Sequence, residues 1–141
     1  MSEEHKAFVR YGFLNFFREG RINWDTLNGF YAPDCIFHYL PPGFEGLTGL
    51  KQFYDIYLSG YSDLQNRLLG ELVAEGDLVV AMWEMTGTHT GELRGFSGTG
   101  ARLRLTGIDV MRIADGKVVE RWQEANHLGI LQQLQAAANS K

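Results

Sequence analysis

The chain has 141 residues, of which 45% are hydrophobic and 13% aromatic, and its formal net charge is −4 at pH 7. This length and composition predict a single globular domain over residues 1–141, with enough apolar side chains to bury a core. The acidic balance and the lack of clustered Lys and Arg argue against nucleic acid or an anionic membrane as the partner.

The first half of the chain predicts three helices and one strand. Aromatic residues at helical spacing indicate a first helix over residues 3–19, and a short second helix follows over residues 23–31. An apolar run over residues 34–40 predicts a strand. Residues 47–59 carry an apolar stripe that predicts the third helix.

The second half predicts strands and one final helix. The strands expected are 64–73, 78–85, 102–113 and 117–125, and the helix is 128–138. A Gly-rich segment over residues 87–100 is expected to be a long connection at the mouth of a pocket. Because the helices are grouped early and the strands late, the pattern indicates an α+β fold with a strongly curved antiparallel sheet over the helices.

One cysteine, Cys35, excludes an internal disulfide and is compatible with a reducing compartment. The first residues are charged and lack an apolar signal core. No apolar run approaches the roughly 20 residues that a membrane helix needs. These features predict a cytoplasmic protein.

The turn at residues 114–117 determines which side chains of the last two strands share a face. Read as a three-residue loop with Gly116 at a bulge, it places Asp109 directly opposite Arg121. Apolar neighbours such as Met111 suggest a pocket floor, although an ion pair that only fixes the register is an alternative. A two-residue loop would slip the register by one and put the pair on opposite faces.

Seven segments in chain order resemble the SnoaL-like polyketide cyclase (ester cyclase) family, within the nuclear-transport-factor-2-like superfamily. The segments are YAPDCIFH at 31–38, PPGFEGL at 41–47, LVAEGDLVV at 72–80, TGTHTGE at 86–92, TGIDVMRI at 106–113, DGKVVE at 115–120 and LGILQQL at 128–134. The resemblance extends over about residues 10 to 136. It implies a cone-shaped, cystatin-like α+β barrel whose curved antiparallel sheet packs on the N-terminal helices.

Family resemblance also implies a reaction. Characterised members close a ring of a polyketide ester by intramolecular aldol condensation, without a metal or cofactor. A proton on carbon between two carbonyls is already acidic, so a buried carboxylate and fixed hydrogen-bond donors can suffice. An apolar cone that holds the chain folded supplies proximity. The expected ligand is a hydrophobic carbonyl compound.

In the family alignment, Gln123 occupies the position of the acid/base carboxylate, and Asp109 occupies that of a His on the preceding strand. Gln cannot exchange a proton near neutral pH. We therefore expect Asp109 to be the general base, with Arg121 orienting it or binding an enolate oxygen. Arg121 is also expected to lower the pKa of Asp109. Asn126 falls where many members have another Asp.

The remaining site residues are predicted substrate contacts. They are His38, Trp83, Gln123, Asn126, Tyr11 and Met111. A hydrogen-bonded core position explains His38 equally well, a loop position is favoured for His89, and a capping or surface role is favoured for His127. The four His residues lack the spacing and companion ligands of a zinc site, so no metal is expected.

Two other functions fit the same residues. A non-catalytic module that binds a small apolar ligand is favoured by the amides Gln123 and Asn126, which hold a ligand but move no proton. An isomerase or hydrolase on the same cone is the third possibility. On the opposite sheet face, Trp122 lies with Ile108 and Val110. Because this face is so apolar, we predict that it is covered, either by a second copy of the chain in a homodimer through the sheets or by a helix.

Overall fold

The computed structural model describes residues 2–140, so the first and last positions of the predicted domain lie outside the described residues. The elements in this range, in chain order, are α1 (Ser2–Asn15), β1 (Phe17–Arg18), β2 (Arg21–Ile22), α2 (Trp24–Phe30), β3 (Tyr31–His38), α3 (Gly46–Leu58), β4 (Tyr61–Leu68), β5 (Val73–Glu75), β6 (Leu78–His89), β7 (Arg102–Ala114), β8 (Lys117–Ala125) and α4 (His127–Asn139). The predicted α+β class is confirmed.

Helix α1 ends earlier than the sequence predicts. Residues 17–22 form a small antiparallel hairpin instead of the last helical turn. Its turn holds Glu19 and Gly20 at φ values of 54° and 78°, which end a right-handed helix. Helix α2 then begins at Asn23, whose side chain accepts a hydrogen bond from the backbone N–H of Thr26.

The main sheet is mixed rather than purely antiparallel. Its strand order is β3-β8-β7-β6-β4, and β5 pairs with β6. Strand β3 runs parallel to β8, and the other pairs in this sheet are antiparallel. The strand predicted over residues 64–73 is divided into β4 and β5. Gly70, at φ 67°, lies in the connection between them.

The turn between β7 and β8 differs from the prediction. Asp115 and Gly116 have φ values of 52° and 74°, and Ala114 pairs with Lys117, so the loop has two residues. Positive φ at both central positions is the geometry of a type I′ hairpin turn. Such a loop alone would slip the register by one residue.

A β-bulge corrects this slip. Ile113 pairs with Val118 and Arg112 with Glu120, which leaves Val119 as the extra residue. The bulge returns Asp109 and Arg121 to the same face.

The two are not directly opposite, so the predicted pairing of Asp109 with Arg121 is wrong. Asp109 pairs with Gln123, and Met111 pairs with Arg121. Asp109 and Arg121 are therefore diagonal neighbours, two residues out of register.

The apolar core lies between the helices and the inner face of the sheet. Phe30 is at its centre and stacks on Phe8, with edge contacts to Phe16 and Tyr31. A close approach of α1 to α2 depends on Gly12, because a β-carbon there would overlap the ring of Phe30.

The outer sheet face remains partly open. Ile108 is 48% exposed and Met82 is 42% exposed, so no helix in the described range covers this part of the face. Trp122 is half-buried: the ring of His38 stacks on it at 4.8 Å, and the guanidinium of Arg112 lies 6.0 Å from its centre. In residues 2–140, the helices are all too short or too polar to cross a membrane.

We predict that Gly107→Ala destabilises the fold. Gly107 pairs with Trp83, and a β-carbon at position 107 would overlap the indole ring. Overpacking of this kind costs about 1–3 kcal/mol in the free energy of unfolding, measurable by urea denaturation. The matched control is Gly29→Ala in α2, where the added carbon meets no atom within 4 Å. The overlap would be refuted if both variants unfolded at the urea concentration of the parent.

Candidate functional site

An aromatic cavity of about 90 Å³ lies between the helices and the inner face of the sheet. This space exceeds the roughly 10–15 Å³ that one water molecule needs, so it has room for more than one water-sized group. Its aromatic walls are Phe13, Phe16, Phe53, Tyr54, Tyr57 and Tyr31, and its polar groups are Trp83, Asp109, Gln123, His127, Asn66 and Arg94. A mostly apolar cavity with a few polar groups is the usual form of a small-molecule site.

Asp109 is the buried carboxylate of this cavity. It is 1% exposed, and its Oδ1 accepts a hydrogen bond of 2.9 Å from Nε1 of Trp83. Burial raises the pKa of Asp109 above its usual range, against the opposing effects of Arg121, Trp83 and Gln123. Arg121 lowers this pKa as expected, but desolvation outweighs the neighbouring cation, so the net shift is upward.

Arg121 lies behind the cavity wall. It is 1% exposed, and its Nη1 donates to the hydroxyls of Tyr31 at 3.1 Å and of Tyr54 at 3.0 Å. Its guanidinium carbon lies 4.9 Å from the centre of the Phe37 ring, a cation–π contact. Within residues 2–140, no carboxylate comes within 4.0 Å of the guanidinium nitrogens. Phenols and ring faces, rather than an ion pair, surround this buried charge.

A second cavity, of about 140 Å³, adjoins the first. Arg121 and His38 line it, together with the segment 39–41 that follows β3. Gln123, His127 and Phe53 line both cavities and form the wall between them.

His127 is a cavity residue that the sequence did not reveal. Burial and the charge of Arg94 lower its pKa, against the effect of Glu124, so the imidazole is neutral at pH 7. The helix cap expected at this point belongs to Asn126, whose side chain accepts a hydrogen bond of 2.9 Å from the N–H of Gly129. Asn is strongly preferred at the N-cap of a helix, so the sequence carries a signal that Asn126 is the cap. With Asn126 in that position, the side chain of His127 is free to point into the cavity.

The predicted contacts divide into three groups. Trp83, Asp109 and Gln123 meet in the aromatic cavity, whereas Arg121 and His38 line only the second one. His38 places its Nε2 2.8 Å from a carboxylate oxygen of Glu120.

Neither cavity is lined by Tyr11, Met111 or Asn126. Tyr11 is 64% exposed on α1, and Met111 is fully buried in the core. Asn126 is exposed and serves as the helix cap. Helical spacing and strand alternation give the general direction of a side chain, but the depth of the cavity decides which ones reach it.

The Gly-rich connection does approach the cavity, because Leu93 and Arg94 line it. His89 fixes the base of this connection. Its Nδ1 accepts a hydrogen bond of 3.2 Å from the N–H of Thr99, so the proton is on Nε2, which donates to the carbonyl of Phe96. His89 is therefore buried at the end of β6, so the loop position favoured by the sequence is wrong. In the part of the chain that the structure describes, no three His, Cys, Asp or Glu side chains are grouped to hold a metal.

We predict that Asp109→Asn stabilises the fold at neutral pH. Burial raises the pKa of Asp109 above 3.8, so the folded chain binds the proton more tightly than the unfolded chain. Stability then falls as the pH rises through the folded pKa, and the ionised carboxylate weakens the fold above it. Urea unfolding at pH 7 should show the variant to be more stable than the parent.

This gain should shrink as the pH falls and vanish below about 3.8, where both states bind the proton. The control is Asp77→Asn on the surface, which removes an ion pair with Arg112 and should bring no gain at pH 7. An equal stability difference at every pH would contradict the raised pKa.

A family model described as SnoaL-like polyketide cyclase matches residues 10–134 of the chain. No curated protein matches it. Among solved structures, AclR, a proposed hydroxylase from Streptomyces galilaeus, is 26% identical with a TM-score of 0.83, over 96% of this chain and 87% of its own. TsrD from Streptomyces laurentii is 27% identical with a TM-score of 0.79, over 96% and 98%.

A proposed polyketide cyclase from Acidithiobacillus ferrooxidans is 28% identical with a TM-score of 0.78, over 97% of this chain and 98% of its own. These structures share the arrangement of helices around a curved, mixed sheet. Since the family model spans most of the described residues, the chain belongs to the SnoaL-like polyketide cyclase family.

Proposed function

We propose that this protein is a cofactor-independent acid/base catalyst of the cyclase type, which acts on a hydrophobic carbonyl compound. The observation that carries this proposal is Asp109, a carboxylate buried in the wall of an aromatic cavity with its pKa raised by that burial. A raised pKa makes a carboxylate a stronger base, because its pKa is then closer to the value that suits a general base at neutral pH.

The proposed reaction begins with transfer of a proton from carbon to the carboxylate of Asp109. The electron pair of the C–H bond moves to the neighbouring carbonyl and gives an enolate. The enolate carbon then attacks a second carbonyl of the same molecule and forms the new C–C bond. The resulting alkoxide takes the proton back from Asp109, so the ring-closed product has the same composition as the substrate.

Three side chains would assist Asp109. The indole N–H of Trp83 fixes the orientation of the carboxylate, and Gln123 lies across from it on β8 as a hydrogen-bond partner for the ligand. Arg121, which was expected to orient Asp109 or bind the enolate oxygen, contributes its charge from behind the cavity wall.

A non-catalytic module that binds a hydrophobic small molecule is the second candidate, and a superfamily isomerase or hydrolase is the third. Gln123 favours the binding module, because an amide occupies the wall shared by both cavities and does not act as an acid or base near neutral pH.

The decisive test is a chromatographic turnover assay with aromatic β-keto esters, including uncyclised polyketide intermediates. We expect cyclised product from the parent and a loss of about 10²–10⁴-fold in kcat for Asp109→Asn, because general-base catalysis contributes about that factor. The control is Asp77→Asn, which removes an acidic group on the surface and should leave kcat unchanged.

Equal turnover by the parent and Asp109→Asn would exclude Asp109 as the base. Saturable binding of the esters without any chemical change would favour the binding module. Movement of a double bond without ring closure would favour the isomerase.

We also propose a homodimer through the outer sheet face that carries Ile108, Met82 and Trp122. This proposal is supported by the exposure of Ile108 and Met82, which leaves apolar surface of the sheet in contact with water. We propose a cytoplasmic location as well. Recovery of the native protein outside the cell would contradict it.

Analytical ultracentrifugation of Ile108→Glu tests the dimer. We expect a dimer for the parent and a monomer for the variant, because a buried carboxylate at the interface lacks a partner. The control, Ile56→Glu, puts the same charge on an exposed position of α3 and should remain dimeric. A monomeric parent would refute the proposal.

A further inference from the structure

Two tyrosine hydroxyls are arranged around one nitrogen of Arg121. Nη1 donates to Tyr31 at 3.1 Å and to Tyr54 at 3.0 Å. A guanidinium has donors and no acceptor, so both phenol oxygens must accept in these bonds. Each phenol therefore keeps its own proton for another partner.

No residue in the range 2–140 accepts either proton. Both tyrosines line the aromatic cavity, whereas Arg121 does not. Burial raises the pKa of Tyr31, against the effect of Arg121, so its phenol keeps its proton at neutral pH. Two tyrosines of the cavity wall thus have hydroxyl oxygens that bond to a cation behind the wall.

The two hydroxyls are held near each other by one nitrogen. Both oxygens lie within 3.1 Å of Nη1, so they are no more than about 6 Å apart. The acceptor required for their protons is a ligand oxygen on the cavity side of this pair. The buried guanidinium draws electron density from both phenols and strengthens them as donors. Fixed donors of this kind stabilise the negative charge that develops on a carbonyl oxygen.

We propose that the hydroxyls of Tyr31 and Tyr54 form an oxyanion site for an enolate oxygen, with Arg121 as the residue that positions and polarises them. This inference rests on the proposed function for the identity of the reaction. The ligand class it specifies is an enolisable ketone or β-dicarbonyl compound, which becomes an anion in the cavity.

Asp109 lines the same cavity, so its charge affects whether an anion can bind there. While Asp109 is ionised, its carboxylate repels a second anion. Once it has taken the proton from carbon, it is neutral, and the negative charge is on the enolate oxygen. The cavity therefore holds one negative charge throughout, which passes from Asp109 to the oxygen between the phenols.

A binding experiment tests this site without turnover. The probe is 4-nitrophenolate, an aromatic anion whose oxygen stands in for the enolate oxygen, titrated by its visible absorbance. Asp109→Asn serves as the parent protein, because its neutral amide imitates the protonated carboxyl. In that background, Tyr31→Phe and Tyr54→Phe should each weaken phenolate binding by about 10–100-fold, the usual value of a hydrogen bond to a charged group.

Two controls separate this effect from general damage. Tyr11→Phe removes the hydroxyl of an exposed tyrosine on α1 that lines neither cavity, and should leave the affinity unchanged. Nitrobenzene, which keeps the nitro-substituted ring but lacks the phenolate oxygen and its charge, should bind all these proteins equally. Loss of nitrobenzene affinity in Tyr31→Phe or Tyr54→Phe would show a disrupted cavity and would count against the proposal.

The outcomes distinguish this site from the reaction. Phenolate affinity that is unchanged in both Phe variants, or no phenolate binding to the Asp109→Asn protein, overturns the oxyanion site. The predicted weakening without ring closure in the turnover assay supports the oxyanion site and refutes the cyclase reaction.

Discussion

The burial of a guanidinium and a carboxylate on one inner sheet face is the constraint on which the rest of the structure depends. Arg121 and Asp109 are each 1% exposed, and the register places them diagonally rather than opposite each other. Removing charges from water costs several kcal/mol per ion unless other groups compensate. Here the compensation comes from two phenols and aromatic ring faces around Arg121, and from an indole N–H at Asp109. The surrounding elements must hold these partners in place.

Small backbone features achieve this placement. The bulge at Val119 turns Arg121 and Gln123 to the inside after a two-residue loop that would have turned them outward. A cap at Asn126 starts α4 one residue before His127, which then reaches the wall shared by both cavities. A glycine at position 107 leaves room for the indole that binds Asp109. Each feature is local, yet each one determines which side chain faces the cavity.

These placements put groups of different chemistry into and behind the cavity wall. The proposed reaction assigns the role of proton acceptor to Asp109, whose pKa is raised by burial, and the role of donors to the two phenols in front of Arg121. Aromatic side chains from α1 and α3 line the space between them, and this apolar surrounding strengthens the polar contacts in the wall. Acid/base chemistry on a carbon acid requires these parts and no other reagent.

The sequence alone determined the α+β class, the approximate bounds of the long helices and strands, and the shared face of Asp109, Arg121 and Gln123. Periodicity and Gly-containing turns are local signals, and the family resemblance added the expected cone and reaction. Tertiary structure decided the rest. Desolvation, which depends on every neighbour, reversed the expected pKa shift of Asp109. The partners of Arg121 are phenols on β3 and α3, far away in the chain, and no pattern along the chain records a hydrogen bond between distant elements.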